Sequence, residues 1–390
     1  MMELEWDYAS ECIINDVVIE KLKGYQEVII FGAGDSGSWA YGLLKRHGLK
    51  IKAFCDNCKK LWGRVKHGIS IESFDNAVKK YPQAAICIAS MWAEEILEQI
   101  RGCSPDLICK TFNILTSMAW ETSEKCYESS EPEYIRDNQE KFRQLSRVLA
   151  DEASKITLEG ILNYRLTRNI GYLERIRSKG QKYLDSTVIP APLLERASTG
   201  AIIDGGAFDG DSVEAFIHFL GKDEKALHIH CYEANRENIA RLRQKLDSFA
   251  PHKIEIHESA LWDSSGGKLY FEGQGEAGRI TGEFSGRPND VQINMELETN
   301  GVIAEKIDDT FYHDLRLIKL DIEGAERYAL QGAKNTIVRN RPVLAICAYH
   351  LQDDILVLSD FIRSALTGYK LYLRHYLLSA GDTILYGIPQ

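Results

Sequence analysis

No apolar run in this chain approaches the roughly 18–20 residues that carry a helix across a bilayer, which speaks against a membrane-inserted protein. The opening Met-Met-Glu-Leu-Glu-Trp-Asp has neither the basic nor the apolar stretch of a secretory signal, so the cytoplasm is the expected location. Positive charge is not in excess. Asp and Glu number 57 against 47 Lys and Arg, a net −10, which argues against nucleic acid or an anionic lipid surface as partner. A disulfide framework is not expected either. The nine cysteines are odd in number and scattered, and Cys87, Cys231 and Cys347 sit in apolar runs as small core residues. Cys55 and Cys58 have metal-like spacing, but no second Cys or His pair stands near them. Repeats of solenoid length and low-complexity segments are absent too.

What is present is a chain of 390 residues, 44% apolar and 27% charged, the composition of a globular protein too long for one ordinary core. Its first 120 residues read as a Rossmann-like domain. The apolar run Glu27-Val-Ile-Ile-Phe31 leads into Gly32-Ala-Gly34-Asp-Ser-Gly37, then a helical pattern through Trp39, Leu43 and Leu44, then Ile51-Lys-Ala-Phe-Cys-Asp56. Strand, G-x-G-x-x-G turn, helix, strand and a closing acid form the dinucleotide-binding fingerprint, with Gly32, Gly34, Gly37 and Asp56 as its members. A helix near 73–80, a strand at 84–89, a helix at 92–101 and an apolar segment near 107–114 continue the series. A nucleotide, nucleotide-sugar or dinucleotide is one reading; a degenerate fold used for docking or dimerisation is the other.

Residues 121–195 read as linker and helical connector. Ser129-Ser-Glu-Pro132 lies in a stretch, 121–135, with no apolar period. From 134 to 177 apolar residues recur at helical spacing, with Asp151-Glu-Ala-Ser154 as a break and restart. The expectation is a connector that packs on the C-terminal domain.

The C-terminal domain, 196–390, opens on the most informative stretch, Ala201-Ile-Ile-Asp-Gly-Gly-Ala-Phe-Asp-Gly-Asp211. Three apolar residues run into an acid and glycines that let the backbone approach a ligand closely. The next strand, His228-Ile-His-Cys-Tyr-Glu233, ends in a carboxylate where a ribose is gripped through its hydroxyls. Further strands are expected at 254–260, 268–272, 302–307, 315–321, 343–347, 369–373 and 383–387, with helices at 212–220, 236–248, 325–333 and 354–364. The alternation predicts a doubly wound, mainly parallel sheet whose last two strands make an antiparallel edge hairpin. Ligands bind such sheets at the strands' carboxyl ends. Those ends carry Asp204, Gly205 and Gly206; Glu233; Ser259, Ala260 and Leu261; Asp321, Glu323 and Glu326; and Tyr349 and His350.

This order resembles class I S-adenosylmethionine-dependent methyltransferases. The block Ile318-Lys-Leu-Asp-Ile-Glu-Gly-Ala-Glu326 is similar to the signature of the FkbM type. Asp204-Gly-Gly-Ala, Tyr232-Glu-Ala-Asn, Ala260-Leu261, Arg279-Ile280, Ile307-Asp-Asp309 and Leu373-Arg-His-Tyr376 follow in that family's order, and the likeness spans roughly 150–390, including Leu162–Thr167. Phe208-Asp209 departs from it, since many members carry Asn before the third glycine. The resemblance implies that Gly205 and Gly206 cradle the methionine end of S-adenosylmethionine and that Asp204 holds its ammonium, directly or through water. Glu233 takes the ribose hydroxyls, Ser259 to Leu261 flank the adenine, and Asp321 lies beside the transferring methyl. A sulfonium cofactor is cationic and lacks a pyrophosphate, so an acid-rich rim with no basic residue in its glycine turn suits it. Methylation of a hydroxyl on a sugar, glycan precursor or secondary metabolite needs a base. Asp321 and His350 are the candidates, with Glu323 assisting, or with Glu323 and Glu326 joining Asp321 around a divalent cation.

Two other functions stand beside this one. A nicotinamide-dependent oxidoreductase would use Gly32–Gly37 and Asp56, but 84–110 offers no Tyr-x-x-x-Lys pair and no His beside an acid to handle a proton. A non-catalytic nucleotide-binding scaffold is the other. The acceptor is a small molecule or glycan; a homo-oligomer stays open.

Overall fold

The computed structural model describes residues 19, 22–90, 92–114, 131–167, 171–221, 226–272, 279–284, 301–378 and 381–390. Residues 121–130 of the expected linker and most of 274–300 lie outside the described residues, whereas its end, expected without structure to 135, belongs to a helix, Glu131–Asp137.

In the N-terminal part, β1 (Val28–Phe31), β2 (Ile51–Cys55), β3 (Val65–Lys66), β4 (Ile69–Glu72), β5 (Ala85–Ile88) and β6 (Thr111–Asn113) form a sheet ordered β3-β4-β2-β1-β5-β6. All neighbours are parallel except β3 and β4. Helices Asp35–Arg46, Phe74–Lys80 and Ala93–Cys103 connect them. Along β1 the apolar residues divide between two cores: Val28 and Ile30 pack on one face, Ile29 and Phe31 on the other. That is why the strand reads as a continuous apolar run. The β3–β4 hairpin is absent from the sequence reading. Its arms are too short for a strand pattern, and its signal is the turn His67-Gly68, where both residues have positive φ as a two-residue hairpin loop requires.

In the C-terminal part, β7 (Ala201–Gly205), β8 (His228–Tyr232), β9 (Lys253–His257), β14 (Leu315–Leu320), β15 (Val343–Cys347), β16 (Tyr369–His375) and β17 (Thr383–Pro389) make a seven-stranded sheet. Its order is β16-β17-β15-β14-β7-β8-β9. β17 runs antiparallel between β15 and β16, so the expected hairpin is there and β16 forms the edge. Strand direction in the chain reverses its order at β7, which places the first glycine turn at the topological switch point.

One expectation needs correction. The run 254–260 is two strands, and 268–272 and 302–307 do not extend the main sheet. β10 (Ser259–Leu261), β11 (Lys268–Glu272), β12 (Arg279–Phe284) and β13 (Val302–Glu305) form a separate four-stranded sheet ordered β10-β13-β11-β12. Only Trp262-Asp-Ser-Ser-Gly-Gly267 separates β10 from β11, too short for a parallel crossover, so β11 pairs antiparallel with β12 and β13.

The connector helices Gln139–Val148 and Glu152–Thr167 share a core with the main sheet: Phe142, Leu145, Leu158 and Leu162 join Ile203, Ile318, Leu371 and Leu373. Backbone contact reinforces it, with Ala150 N–H donating to Leu371 O at 2.9 Å. The predicted break is real: Asp151 Oδ1 accepts from Ser154 N–H at 2.8 Å, starting the second helix. Arg374 pairs with that same Asp151 at 2.6 Å and His375 with Thr383 at 3.0 Å, so both are spent on structure.

Candidate active site

Three strand ends meet at the rim around β7. Gly206 is required there by the protein itself. Its φ is +73°, and a Cβ would lie 1.8 Å from the Asp321 carbonyl oxygen. The glycine therefore admits the end of β14. Gly205 lies under Leu320 and Leu261, which a Cβ would meet at 2.7 and 2.9 Å. Leu261 thus fixes β10 beside the turn.

Asp204 is fully buried and faces inward. Its carboxylate pairs with Lys319 Nζ at 2.8 Å and accepts from Ser212 Oγ at 2.6 Å. Lys319, itself 2% exposed, also donates to Gly205 O at 3.1 Å and Gly206 O at 2.6 Å. Burial alone would lower the lysine, but the charges of Asp204 and Asp321 outweigh it and hold Lys319 above its ordinary range. The acid thus holds the lysine that holds the turn's carbonyls. The sequence reading noted no basic residue in the turn. Lys319 reaches it from a neighbouring strand, and one lysine within the apolar run Leu315–Leu320 was the signal, because a buried lysine needs a buried acid.

Glu233, at the end of β8, is 8% exposed. Its carboxylate ties the glycine loop down, accepting Phe208 N–H at 2.9 Å and Asn235 N–H at 2.7 Å. Burial raises its carboxyl above the usual range, opposed by those backbone donors. Phe208, the residue that departs from the family pattern, supplies its backbone N–H to this contact at φ +48°. Ser259, Ala260 and Leu261 are buried, and Ser259 Oγ donates to Glu305 at 2.7 Å.

The third strand end gathers the most polar chemistry. Asp321 Oδ2 accepts from Tyr183 OH at 2.8 Å and Oδ1 from Tyr349 OH at 3.1 Å, and His350 Nε2 lies 3.3 Å from Oδ1. His350 Nδ1 stands 3.0 Å from Glu326, which is fully buried and also accepts Ile322 N–H at 2.8 Å. Glu323, on the turn with φ +55°, is 3.7 Å from Nε2. Burial would lower the imidazole, but Glu326, Asp321 and Glu323 together hold it well above its ordinary value. Asp321, which burial alone would raise, is held well below the carboxylate range, by His350 first and then Lys319 and Tyr183. His350, one of the two candidate bases, thus stands among three carboxylates. Asp321, Glu326 and His350 offer donor atoms within 4.8 Å of one another, with Glu323 beside them, and this is the group on which the divalent-cation expectation rests.

Tyr183 and Tyr349 carry this cluster, and the sequence reading gave neither a role. Tyr183 comes from the connector at φ +68°, beside Lys182, which pairs with Asp382 at 3.1 Å. No periodicity marks a residue that reaches a site 138 positions away.

The N-terminal fingerprint is built differently. Asp56 spends its carboxylate on Ala33 N–H at 2.9 Å and Cys58 N–H at 2.8 Å, and Lys66 Nζ donates to Ala33 O and Gly34 O at 2.6 and 2.7 Å. Gly32 and Gly37 are forced by packing, their Cβ atoms meeting Ala89 O at 2.2 Å and Gly32 O at 2.0 Å, whereas Gly34 has nothing within 4 Å.

Comparison with known proteins bears on the two parts separately. Residues 204–372 match the model of the methyltransferase FkbM domain, and residues 24–106 match the model described as C2185-like, N-terminal. Among solved structures, the chain is similar to methyltransferase FkbM from Methylobacillus flagellatus KT: 20% identity, 98% of this chain and 95% of that one covered, TM-score 0.63. That likeness shows a shared fold. Weaker matches include an rRNA methylase from Streptococcus thermophilus (12% identity, 55% and 100% covered, TM-score 0.33). Another is SMU.1697c, a putative methyltransferase from Streptococcus mutans in complex with SAH (10%, 50% and 94%, TM-score 0.30). Among curated proteins, none matches this chain.

Proposed function

We propose, from the premise that residues 204–372 are a methyltransferase FkbM domain, that this protein moves the methyl group of S-adenosylmethionine to a hydroxyl. The acceptor class is a sugar, glycan precursor or secondary metabolite. The observation that carries the reading is Asp321: a carboxylate at the end of β14, held by two phenols and an imidazole, beside a glycine turn pinned by Glu233. Bound S-adenosylmethionine supplies an electrophilic methyl on a cationic sulfur, and the rim's surplus of carboxylates favours that charge.

The chain's residues do the remainder. Glu233 has lone pairs left to accept ribose hydroxyls, and Ser259–Leu261 wall the adenine. The buried Asp204–Lys319 pair fixes the carbonyls of Gly205 and Gly206, so the turn is set before any ligand arrives. Asp321 would accept the hydrogen bond of an acceptor hydroxyl and take its proton, with Tyr183, Tyr349 and His350 holding the carboxylate in place. Orientation of this kind is worth roughly 7–11 kcal/mol in favourable cases. The domain limits 1–120, 121–195 and 196–390 belong to the same proposal, with the N-terminal part free to dock a nucleotide or acceptor.

Calorimetry with S-adenosylmethionine or its demethylated product is the test: micromolar binding, lost in Glu233→Ala. No binding at millimolar ligand sinks the reading. Transfer of labelled methyl groups into cell extract separates an enzyme from a scaffold that only binds.

A further inference from the structure

A second polar cluster lies outside this site, on β8 and β9 at the edge of the main sheet. The two strands pair in parallel, with His228 opposite Lys253, His230 opposite Glu255 and Tyr232 opposite His257. Residues two apart share a face, so His228, His230, Glu255 and His257 stand together, while Ile229, Cys231, Ile254 and Ile256 pack into the core on the other side. His228 Nε2 is 2.8 Å from Glu255 Oε1, His230 Nδ1 is 3.6 Å from Oε2, and His257 Nε2 is 3.2 Å from His230 Nδ1. Donor atoms of His228, His230 and Glu255 all lie within 4.8 Å of one another.

We propose that His228, His230, Glu255 and His257 bind one divalent transition-metal ion of the zinc class. Metal–ligand bonds of about 2.0–2.2 Å put tetrahedral donors roughly 3.3–3.6 Å apart, near the 2.8, 3.2 and 3.6 Å of the three contacts above. Three imidazoles with one carboxylate suit Zn²⁺ and its neighbours, not Mg²⁺ or Ca²⁺, which prefer all-oxygen sets. This composition also separates the cluster from that around His350, where one imidazole faces three carboxylates.

The rings are oriented from behind. His257 stacks on Tyr232 at 4.2 Å and 13°, and Tyr312 meets the His230 ring edge-on at 4.9 Å. His257 Nδ1 faces Glu305 at 3.7 Å, the kind of carboxylate partner that steers a metal-bound histidine. The His228 and Glu255 side chains are 34% and 38% exposed, so an ion reaches them from solvent. One cation competes: Lys253 Nζ contacts Glu255 Oε1 from an exposed position. Four protein donors leave no open position, so the ion is structural, stitching edge strand β9 to β8 one residue before Glu233.

The experiment uses the full chain, stripped with chelator and titrated with ZnCl₂ by calorimetry and thermal unfolding. One equivalent binds, Tm rises, and both effects vanish in His228→Ala and Glu255→Ala but persist in Cys58→Ser. Lys253→Gln tightens binding. Should the histidine variants fold poorly, Co²⁺ added to wild type gives the intense visible bands of a four-coordinate site. Weak, unsaturable zinc uptake shared by wild type and His228→Ala, or only the pale spectrum of six-coordinate cobalt, overturns the proposal.

Discussion

Two glycine turns open two sheets of this molecule, and they look alike in sequence but rest on different physics. Gly32-Ala-Gly34-Asp-Ser-Gly37 leaves its middle glycine clear of neighbours and lays a half-buried lysine, Lys66, across its carbonyls. Asp204-Gly-Gly206 has no such clearance: its second glycine touches the neighbouring strand, and its lysine is buried and matched by a buried acid. The first loop tolerates change at its centre. The second is locked into the sheet.

The sharpest way to break this comparison is to exchange glycine for alanine in each turn. Gly206→Ala forces a Cβ into the Asp321 carbonyl at positive φ, and strain with displacement of β14 should cost upward of 3 kcal/mol and abolish cofactor binding. Gly34→Ala, at φ −76° with open space, should stay within about 0.5 kcal/mol. Urea unfolding of the two variants reads both numbers, and equal losses would show the contrast to be false.

Next come the acids. Asp204→Ala strands the Lys319 ammonium in the core, about 3–5 kcal/mol of destabilisation. Asp56→Ala frees two backbone donors near solvent and should cost nearer 1–2 kcal/mol. A double variant Asp204→Leu with Lys319→Met should recover much of the first loss, since both charges leave together.

Catalysis sharpens the contrast further. Asp321→Asn should lower kcat roughly 10²–10⁴-fold with the protein still folded, while Tyr183→Phe and Tyr349→Phe give smaller losses, as each removes one hydrogen bond of about 1 kcal/mol. Equal activity in Asp321→Asn would remove the carboxylate from the chemistry.

The smallest effect is in pH. His350 has a folded pKa raised well above 6.5, so its pairing stabilises fully below that value and fades only as pH rises through the folded one. Unfolding midpoints should therefore fall on the alkaline side, and His350→Gln should flatten that limb.

Much of this was legible in the residues. Apolar runs gave the parallel strands, because strands buried on both faces carry no polar alternation. The edge hairpin and the helix restart at Asp151 followed from spacing and capping. The separate sheet β10–β13 was not legible in that way, since pairing partners of short strands are chosen by loop length and by which edge lies open. Tyr183 was invisible for a similar reason: it serves a site far along the chain.

By itself the sequence determined where acids, glycines and histidines fall along the strands, and so which of them gather at strand ends. Alternation on a pleated strand fixes the face, and the turn fixes the end. Only the tertiary structure decided what each acid is bound to: Asp204 to Lys319, Glu233 to the glycine loop, Asp321 to two tyrosines and a histidine. The reason is that a buried charge is settled by its nearest opposite charge or donor, and those partners arrive from other strands.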